Sequence, residues 1–294
     1  MKIFAIIVNY NGWKDTYECV DSLRNLNLTH LNIVVVDNKS IDGESIEMLN
    51  MKKKAGEIEL ILSPVNGGFS HGNNIGIRYA LKNEADYIIL INNDTIVADD
   101  FISPLIEILN RNQNCGAISP RINFYYDKNK IWYDGGTFNK LICRARHYRF
   151  EEYQTTSKGC LSTNFITGCC IILPAKVIND VGLLDERFFL YGEDTEYSLR
   201  LKKAGYELAW DADYVLYHKV SSSTGRFSKR TQYYQIRNNL IIGNMYQNMF
   251  ERLVTRCYDQ IFYFYKVLFK GYDYKIVRRA IDDFKKGIVG KVDI

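Results

Sequence analysis

Apolar runs of strand length alternate with helix-spaced stretches through the first ninety or so positions of the chain. IFAIIV (3–8), NIVVVD (32–37), IELIL (58–62) and YIILI (87–91) are short, aliphatic and bounded by polar residues. They are too uniformly apolar to leave one face in water, so they predict strands buried on both sides. After the first run, DTYECVDSLRNL (15–26) sets Cys19, Val20, Leu23 and Leu26 on one helical stripe, with Asp15 as its cap. Another helix is predicted from Asn74 to Asn83, between the last two strands. The alternation predicts an α/β fold with a mostly parallel sheet covered by helices.

In an open sheet of this kind, ligands gather beyond the carboxyl ends of the strands. Those ends read Asn9, Tyr10, Asn11 and Gly12; Asp37, Asn38 and Ser40; Asn66, Gly67 and Gly68; and Asn92, Asn93 and Asp94. One such end is a plain turn as readily as a site, because Asn and Asp side chains bond the nearby backbone. Four on one rim favour a nucleotide or sugar pocket. No G-x-G-x-x-G follows the first strand and no G-x-x-x-x-G-K-[ST] occurs, which removes the usual phosphate cradles. A divalent cation is the common substitute and needs oxygen ligands such as Asp94.

The second half supplies further polar groups. From Phe165 to Tyr206 the pattern reads as a small-residue strand, a Pro-started helix, and then Gly192, Glu193 and Asp194 opening another helix. Its apolar stripe is Tyr197, Leu201 and Ala204, ended by Gly205. Asp194 lies three residues before Tyr197 and so faces inward, toward the sheet rim. The plainer alternative makes Glu193 and Asp194 acids that compensate a helix dipole. ELAWDADYVLYHK is an apolar strand ending in His218, a residue type that is structural as well as ligating.

Composition bounds the class. With 294 residues, 47% hydrophobic and 24% charged, the chain can bury a large core. Its N-terminal apolar run is too short for a secretory signal, so a cytoplasmic protein is expected. Even IFYFYKVLF (261–269) contains Lys266, and no stretch approaches the ~18 apolar residues of a spanning helix. The seven cysteines are scattered without zinc-site spacing, and the adjacent Cys169 and Cys170 are poorly placed for a disulfide. Charge divides the chain: the total is +4, yet residues 226–294 carry fourteen Lys and Arg against six Asp and Glu, leaving a net −4 for residues 1–225. The tail also holds fourteen of the thirty-seven Phe and Tyr residues. We therefore divide the chain into a domain at 1–225 and a basic, aromatic, mainly helical extension at 226–294. That composition suits an interfacial helix on anionic lipid. It equally suits packing on the core or on a partner subunit, as in a homodimer. No basic stripe on a nucleic-acid module is present.

Seven stretches in order, IIVNYNG, VVVDNKSIDG, NGGFSHGNNIGIRYAL, ILINNDT, FITGCCIIL, GLLDERFFLYGEDTEYSLRLKKAGY and YHKVSSST, resemble glycosyltransferase family 2. These are inverting enzymes with the Rossmann-like GT-A fold, and the likeness is to the rhamnosyltransferase-like members. The resemblance implies that Asn9, Tyr10, Asn11, Asp37 and Asn73 contact the donor nucleotide. It places Asn92, Asn93 and Asp94 where the family keeps its Asp-x-Asp motif, with Asn92 and Asn93 toward the donor and Asp94 on the metal. The single carboxylate departs from the usual pair and implies weak metal binding without the diphosphate. His218 matches a late histidine that reaches the metal or diphosphate, Gly168 a small residue beside the sugar, and Asp194 the catalytic base, with Glu193 orienting a loop or the acceptor. The cofactor implied is Mg2+ or Mn2+. The implied reaction moves a sugar from dTDP-rhamnose, or a UDP-sugar, to a saccharide acceptor, lipid-linked in surface polysaccharide synthesis, at the inner face of the cell membrane.

The chemistry asks for these parts. A nucleoside diphosphate leaves as an anion and needs no protein acid, so one carboxylate on the attacking side suffices. A rival sugar-1-phosphate nucleotidylyltransferase would need an arginine-containing glycine-rich loop after the first strand, where VNYNGWKD stands. A non-catalytic nucleotide-sugar-binding protein is the other alternative.

Overall fold

The computed structural model describes residues 1–153, 156–220 and 228–294; the end of the YHKVSSST stretch and the expected boundary at 225/226 lie outside them. The four predicted strands form as β1 (Ile3–Asn9), β2 (Leu31–Asp37), β3 (Glu59–Leu62) and β4 (Tyr87–Ile91). All run parallel, with Ile3 of β1 level with Leu31 of β2 and with Tyr87 of β4. Between them lie α1 (Trp13–Arg24), α2 (Glu44–Lys54) and α3 (Gly68–Lys82). Parity along the strands divides the core. Ile3, Ala5 and Ile7 pack with Cys19, Val20 and Leu23 of α1, while Phe4 and Ile6 pack with Ile77 and Ala80 of α3. Two buried faces per strand are what uninterrupted aliphatic runs require.

The second half completes a mixed sheet. It contributes β5 (Thr95–Val97), α4 (Ile102–Arg111), β6 (Cys115–Phe124), β7 (Ile131–Tyr133), β8 (Gly136–Asn139), β9 (Arg144–His147), β10 (Cys160–Thr163), β11 (Cys170–Pro174), α5 (Ala175–Val181), α6 (Glu193–Lys203) and β12 (Glu207–His218). The strand order is β10-β12-β6-β11-β4-β1-β2-β3. β11 runs against both β4 and β6, and β12 runs with β6. β5 folds back onto the end of β12, and β8 with β9 forms a separate hairpin.

Three local expectations are corrected. α3 begins at Gly68, well before Asn74. Its glycines weaken the helical signal yet bring it close to the sheet: a Cβ at Gly72 would stand 2.7 Å from Val8, and one at Gly76 2.4 Å from Ile6. The strand predicted from Phe165 starts only at Cys170, and Gly168 and Cys169 form a turn before it. Ala204 is the exposed C-cap of α6, so the buried stripe there is Tyr197 and Leu201.

The tail forms α7 (Lys229–Tyr246), α8 (Met249–Phe269) and α9 (Tyr274–Lys285). α7 packs back on the core. Its Tyr233, Tyr234 and Ile236 cluster with Phe189, and Ile241 and Ile242 with Phe188 and Cys143. The Asn238 amide donates to the carbonyls of Leu190 (3.0 Å) and Tyr191 (2.6 Å), holding the segment that leads into α6. All seven cysteines are free, and among the described residues no helix is long and apolar enough to cross a membrane.

Candidate active site

The ends of β1 and β2 are knitted together before any ligand is considered. Buried Asp37 accepts from Asn9 Nδ2 (2.8 Å), Ser40 Oγ (2.6 Å) and the Ser40 amide (2.9 Å). Asn9 Oδ1 accepts from Thr16 Oγ1 at 2.7 Å, so this amide is engaged at both ends inside the protein. Asn11 is left-handed, at φ 52°, and its Oδ1 accepts from the Ile41 amide at 2.8 Å. That leaves Tyr10, 38% exposed, as the open face of the rim. Beside it Asn38 binds the Gly67 amide (3.3 Å) and the Gly68 carbonyl (3.0 Å). Asn73 is buried in α3 and donates to the Phe69 carbonyl at 3.0 Å.

The end of β4 meets the second half of the chain. The Asn92 amide donates to the Cys169 carbonyl (2.9 Å), and Asn93 Nδ2 to Thr16 Oγ1 (3.2 Å). Asp94 Oδ1 lies 3.1 Å from His218 Nε2, brought there by the pairing of Thr95 with His218. Lys219 fixes this junction: its amide donates to the Asp94 carbonyl at 2.9 Å, and its buried ammonium reaches Asp15 (2.8 Å) and Glu18 (2.9 Å) on α1. The Trp132 ring stands edge-on to His218 at 4.5 Å.

One residue before that carbonyl contact, the turn touches the other carboxylate. The Gly168 amide donates to Asp194 Oδ2 (3.2 Å), while the Thr195 amide (2.7 Å) and hydroxyl (3.3 Å) donate to Oδ1. Asp94 also makes itself felt here, since burial and then its charge push the Cys169 thiol up. The Gly168–Cys169 turn is thus bonded on one side by Asn92, two residues before Asp94, and on the other by Asp194. A side chain at Gly168 would put its Cβ 3.5 Å from that of Asp194. Burial raises the Asp194 carboxyl above its ordinary value, against the lowering effect of the Gly168 and Thr195 hydrogen bonds. Burial, and then the charge of Asp194, also push Glu193 up. Glu193 is buried and its Oε2 has no hydrogen-bond partner among the described residues.

A divalent cation fits Asp94 and His218 in a limited way. Among the described residues no group of three or more His, Cys, Asp and Glu side chains could hold a metal. A carboxylate and an imidazole stand together, however, and His218 Nδ1 is buried without a partner there. One carboxylate with substrate phosphates and waters is a usual way to hold Mg2+ beside a nucleotide, and Asp94 could supply that carboxylate with His218 as a further nitrogen donor.

Several supporting residues carry no separate signal in the sequence. Thr195, Ser40 and Thr16 act as hydroxyl struts, a role that composition cannot distinguish from that of hydroxyls facing water. Asn74 clamps the segment before α6 through the Leu184 carbonyl (2.9 Å) and amide (3.0 Å) and Glu186 (2.9 Å). His71 also reaches Glu186, at 2.8 Å.

Known proteins share this arrangement of elements. The family profile described as "Glycosyl transferase family 2" matches residues 4–182. The dTDP-rhamnosyl transferase RfbF of Shigella flexneri is 27% identical over 262 residues, 82% of this chain and 79% of that protein. The low-salt glycan biosynthesis hexosyltransferase Agl10 of Haloferax volcanii is 26% identical, over 85% of this chain and 77% of its own. The N-acetylglucosaminyl-diphospho-decaprenol L-rhamnosyltransferase of Mycobacterium tuberculosis is 24% identical across 48% of this chain and 49% of its own. Among solved structures, GalNAc-T7 with UDP, GalNAc and Mn2+ superposes with a TM-score of 0.67 at 15% identity, over 85% of this chain and 49% of that one. The mannosyltransferase PcManGT of Pyrobaculum calidifontis, with GDP-Man and Mn2+, gives 0.60 at 14% identity, over 84% of this chain and 65% of that one. The architecture is the GT-A fold, a mixed, mostly parallel sheet with flanking helices and a helical C-terminal region. The chain belongs to glycosyl transferase family 2, in a branch that resembles its rhamnosyltransferases.

Proposed function

We propose that the protein is an inverting, metal-dependent sugar transferase that uses a nucleotide-sugar donor, dTDP-rhamnose first and a UDP-sugar second, and a saccharide acceptor carried on a lipid. The observation that carries the reading is that the Gly168–Cys169 turn bonds both the Asn92–Asp94 strand end, through Asn92, and the Asp194 carboxylate. The rhamnosyltransferase names among the relatives support the donor, and the decaprenol-linked substrate in one of those names supports the acceptor class.

Tyr10 and Asn11, on the rim held by Asn9 and Asp37, take the base and ribose, with Asn73, Asn92 and Asn93 lining the donor side. Asp94 and His218 would hold Mg2+ or Mn2+, whose charge would neutralise the charge gathering on the departing diphosphate. Asp194 accepts the proton of the acceptor hydroxyl. That oxygen bonds to the anomeric carbon as the bond from this carbon to the donor phosphate oxygen breaks on the opposite face, and the configuration inverts. The raised pKa of Asp194 makes it a stronger base than a solvated carboxylate. Thr195 and the Gly168 amide fix its orientation, and the small Gly168 leaves room for the sugar beside it. Glu193, also buried, orients a loop or the acceptor.

The test is a panel of nucleotide sugars with purified protein, read by thermal shift and donor hydrolysis with and without Mn2+. A pyrimidine-diphosphate sugar should raise the melting temperature only with the metal. Silence across dTDP- and UDP-sugars sinks the proposal.

A further inference from the structure

α8 is inside out. On a helix packed against a soluble protein, the apolar side faces the core and the polar side faces water. Here the three buried positions are Thr255, Asp259 and Tyr263, and two of them are polar. Facing solvent are Met249 (82% exposed), Phe250, Leu253, Ile261 (74%), Phe264 (68%), Tyr265, Leu268 and Phe269. The helix is 21 residues long, roughly 30 Å at about 1.5 Å per residue, and the stripe runs its whole length.

Its rotation is fixed by the polar side. Asp259 pairs with Arg144 at 2.5 Å, both largely buried, and the Tyr263 hydroxyl accepts from Arg144 at 2.8 Å. Thr255 donates to the Leu141 carbonyl at 2.9 Å and accepts from Gln247 at 2.7 Å. Turning the apolar stripe inward would strand the Arg144 guanidinium without its carboxylate, which is costly. A capping box joining Asn248 and Glu251 fixes the other end. The outward face is therefore a stable feature, and something of matching chemistry covers it in use.

We propose that α8 lies flat on a bilayer surface that contains anionic lipid. Charge complementarity selects this occupant. The two carboxylates of α8 are turned away, Glu251 to Lys140 (3.1 Å) and Asp259 to Arg144 (2.5 Å). Arg256, Lys270 and Lys275 are exposed and form no ion pair among the described residues. An apolar stripe with cations beside it and no acid on it is the composition that anionic headgroups attract. A second copy would present the same face across a two-fold axis, with cations and no carboxylate to meet them. The surface also opens into a groove of about 590 Å³ between α8 and α9, walled mainly by Phe264, Val267, Leu268, Val277 and Ile281, with the Arg144-paired Asp259 and the cations Arg256 and Lys285 also in its lining. Fluid hydrocarbon fills such a groove without needing a shaped partner. Since among the described residues no helix can span, the contact is interfacial.

The inner side of the same helix faces the start of α6. A cavity of about 340 Å³ is lined by Phe262, Tyr263 and Lys266 of α8 and by Gly192 and Thr195, which flank the Glu193–Asp194 pair.

Bilayer contact is a property of the α8 surface and is tested without turnover. The full chain is floated with vesicles of phosphatidylcholine alone and with vesicles that also contain phosphatidylglycerol. Association with the anionic vesicles is expected to be about tenfold tighter than with neutral ones and to weaken with salt. The double variant Phe264→Asp, Leu268→Asp should lose about tenfold or more, and Arg256→Glu, Lys270→Glu should abolish the preference for anionic lipid. Both variants replace exposed side chains, and donor hydrolysis in lipid-free buffer should be unchanged, which separates this test from the transferase reading. Vesicle association that is absent in the wild type, or unaltered in the apolar variant, overturns the proposal. So does a wild-type dimer in solution that the apolar variant converts to monomer.

Discussion

Replacing Asp194 by Asn removes the proposed base with the smallest change of shape. The carboxylate accepts from the Gly168 amide through one oxygen and from Thr195 through the other. An asparagine oxygen can keep the Thr195 bond, leaving its NH2 against the Gly168 N–H, a lost hydrogen bond that costs about 1.5–3 kcal/mol when the acceptor was charged. Burial already disfavours that charge, which is why the Asp194 pKa is raised, and removing it returns part of the loss. The fold should therefore lose no more than about 1–2 kcal/mol. Turnover has no such compensation. Without a group to take the acceptor proton, kcat should fall roughly 100- to 10,000-fold, about 3–5 kcal/mol of barrier. Donor affinity, measured by calorimetry with Mn2+, should stay within about threefold, because the proton transfer belongs to the transition state. The wild-type pH profile supplies a second check. A base works only when deprotonated, so the rate should be lost as pH falls through the Asp194 pKa, and that acid limb should lie above the usual carboxylate range. An Asp194→Asn enzyme with kcat within about fivefold of wild type would refute the assignment.

Three further outcomes follow from the same geometry. Asp94→Asn or His218→Ala should remove the Mn2+-dependent part of the nucleotide-induced thermal shift and leave most of the metal-free stability, read by differential scanning fluorimetry. Gly68→Ala should destabilise by about 3 kcal/mol in thermal unfolding, because the backbone there is left-handed (φ +88°) and the new Cβ would lie 2.0 Å from the Phe189 carbonyl oxygen. Glu193→Gln should change the pH dependence of stability. The folded pKa of Glu193 is raised, so between the unfolded and folded values the native state holds the extra proton and wild-type stability falls as pH rises. The glutamine variant removes that slope, and its stability relative to wild type should grow from pH 5 to pH 8 in urea titrations, whereas an unchanged slope would place the titration elsewhere.

Where the sequence spoke clearly, one residue had one physical job. IFAIIV and NIVVVD contain nothing but strand-core side chains up to their polar ends, and both lie in the sheet with their two faces divided between the two cores. α3 was half hidden because its glycines serve two ends: they weaken helix propensity while letting the helix sit against Val8 and Ile6. The site divides in the same way. Asp94, His218 and Asp194 stand out as titratable groups at strand or helix ends; the structure brings the first two to 3.1 Å, and the Gly168–Cys169 turn bonds both Asn92, two residues before Asp94, and Asp194. Asn9 and Asp37 look alike as polar strand ends, yet the amide is used up holding the carboxylate, a distinction made only by hydrogen bonds across 28 positions. The outward face of α8 was the least legible. YDQIFYFYKVLFKGY reads as an amphipathic helix in either orientation, and periodicity says nothing about which side turns inward. The choice is made by Arg144, more than a hundred residues away, whose buried guanidinium needs Asp259 and so turns the aromatic side to the outside.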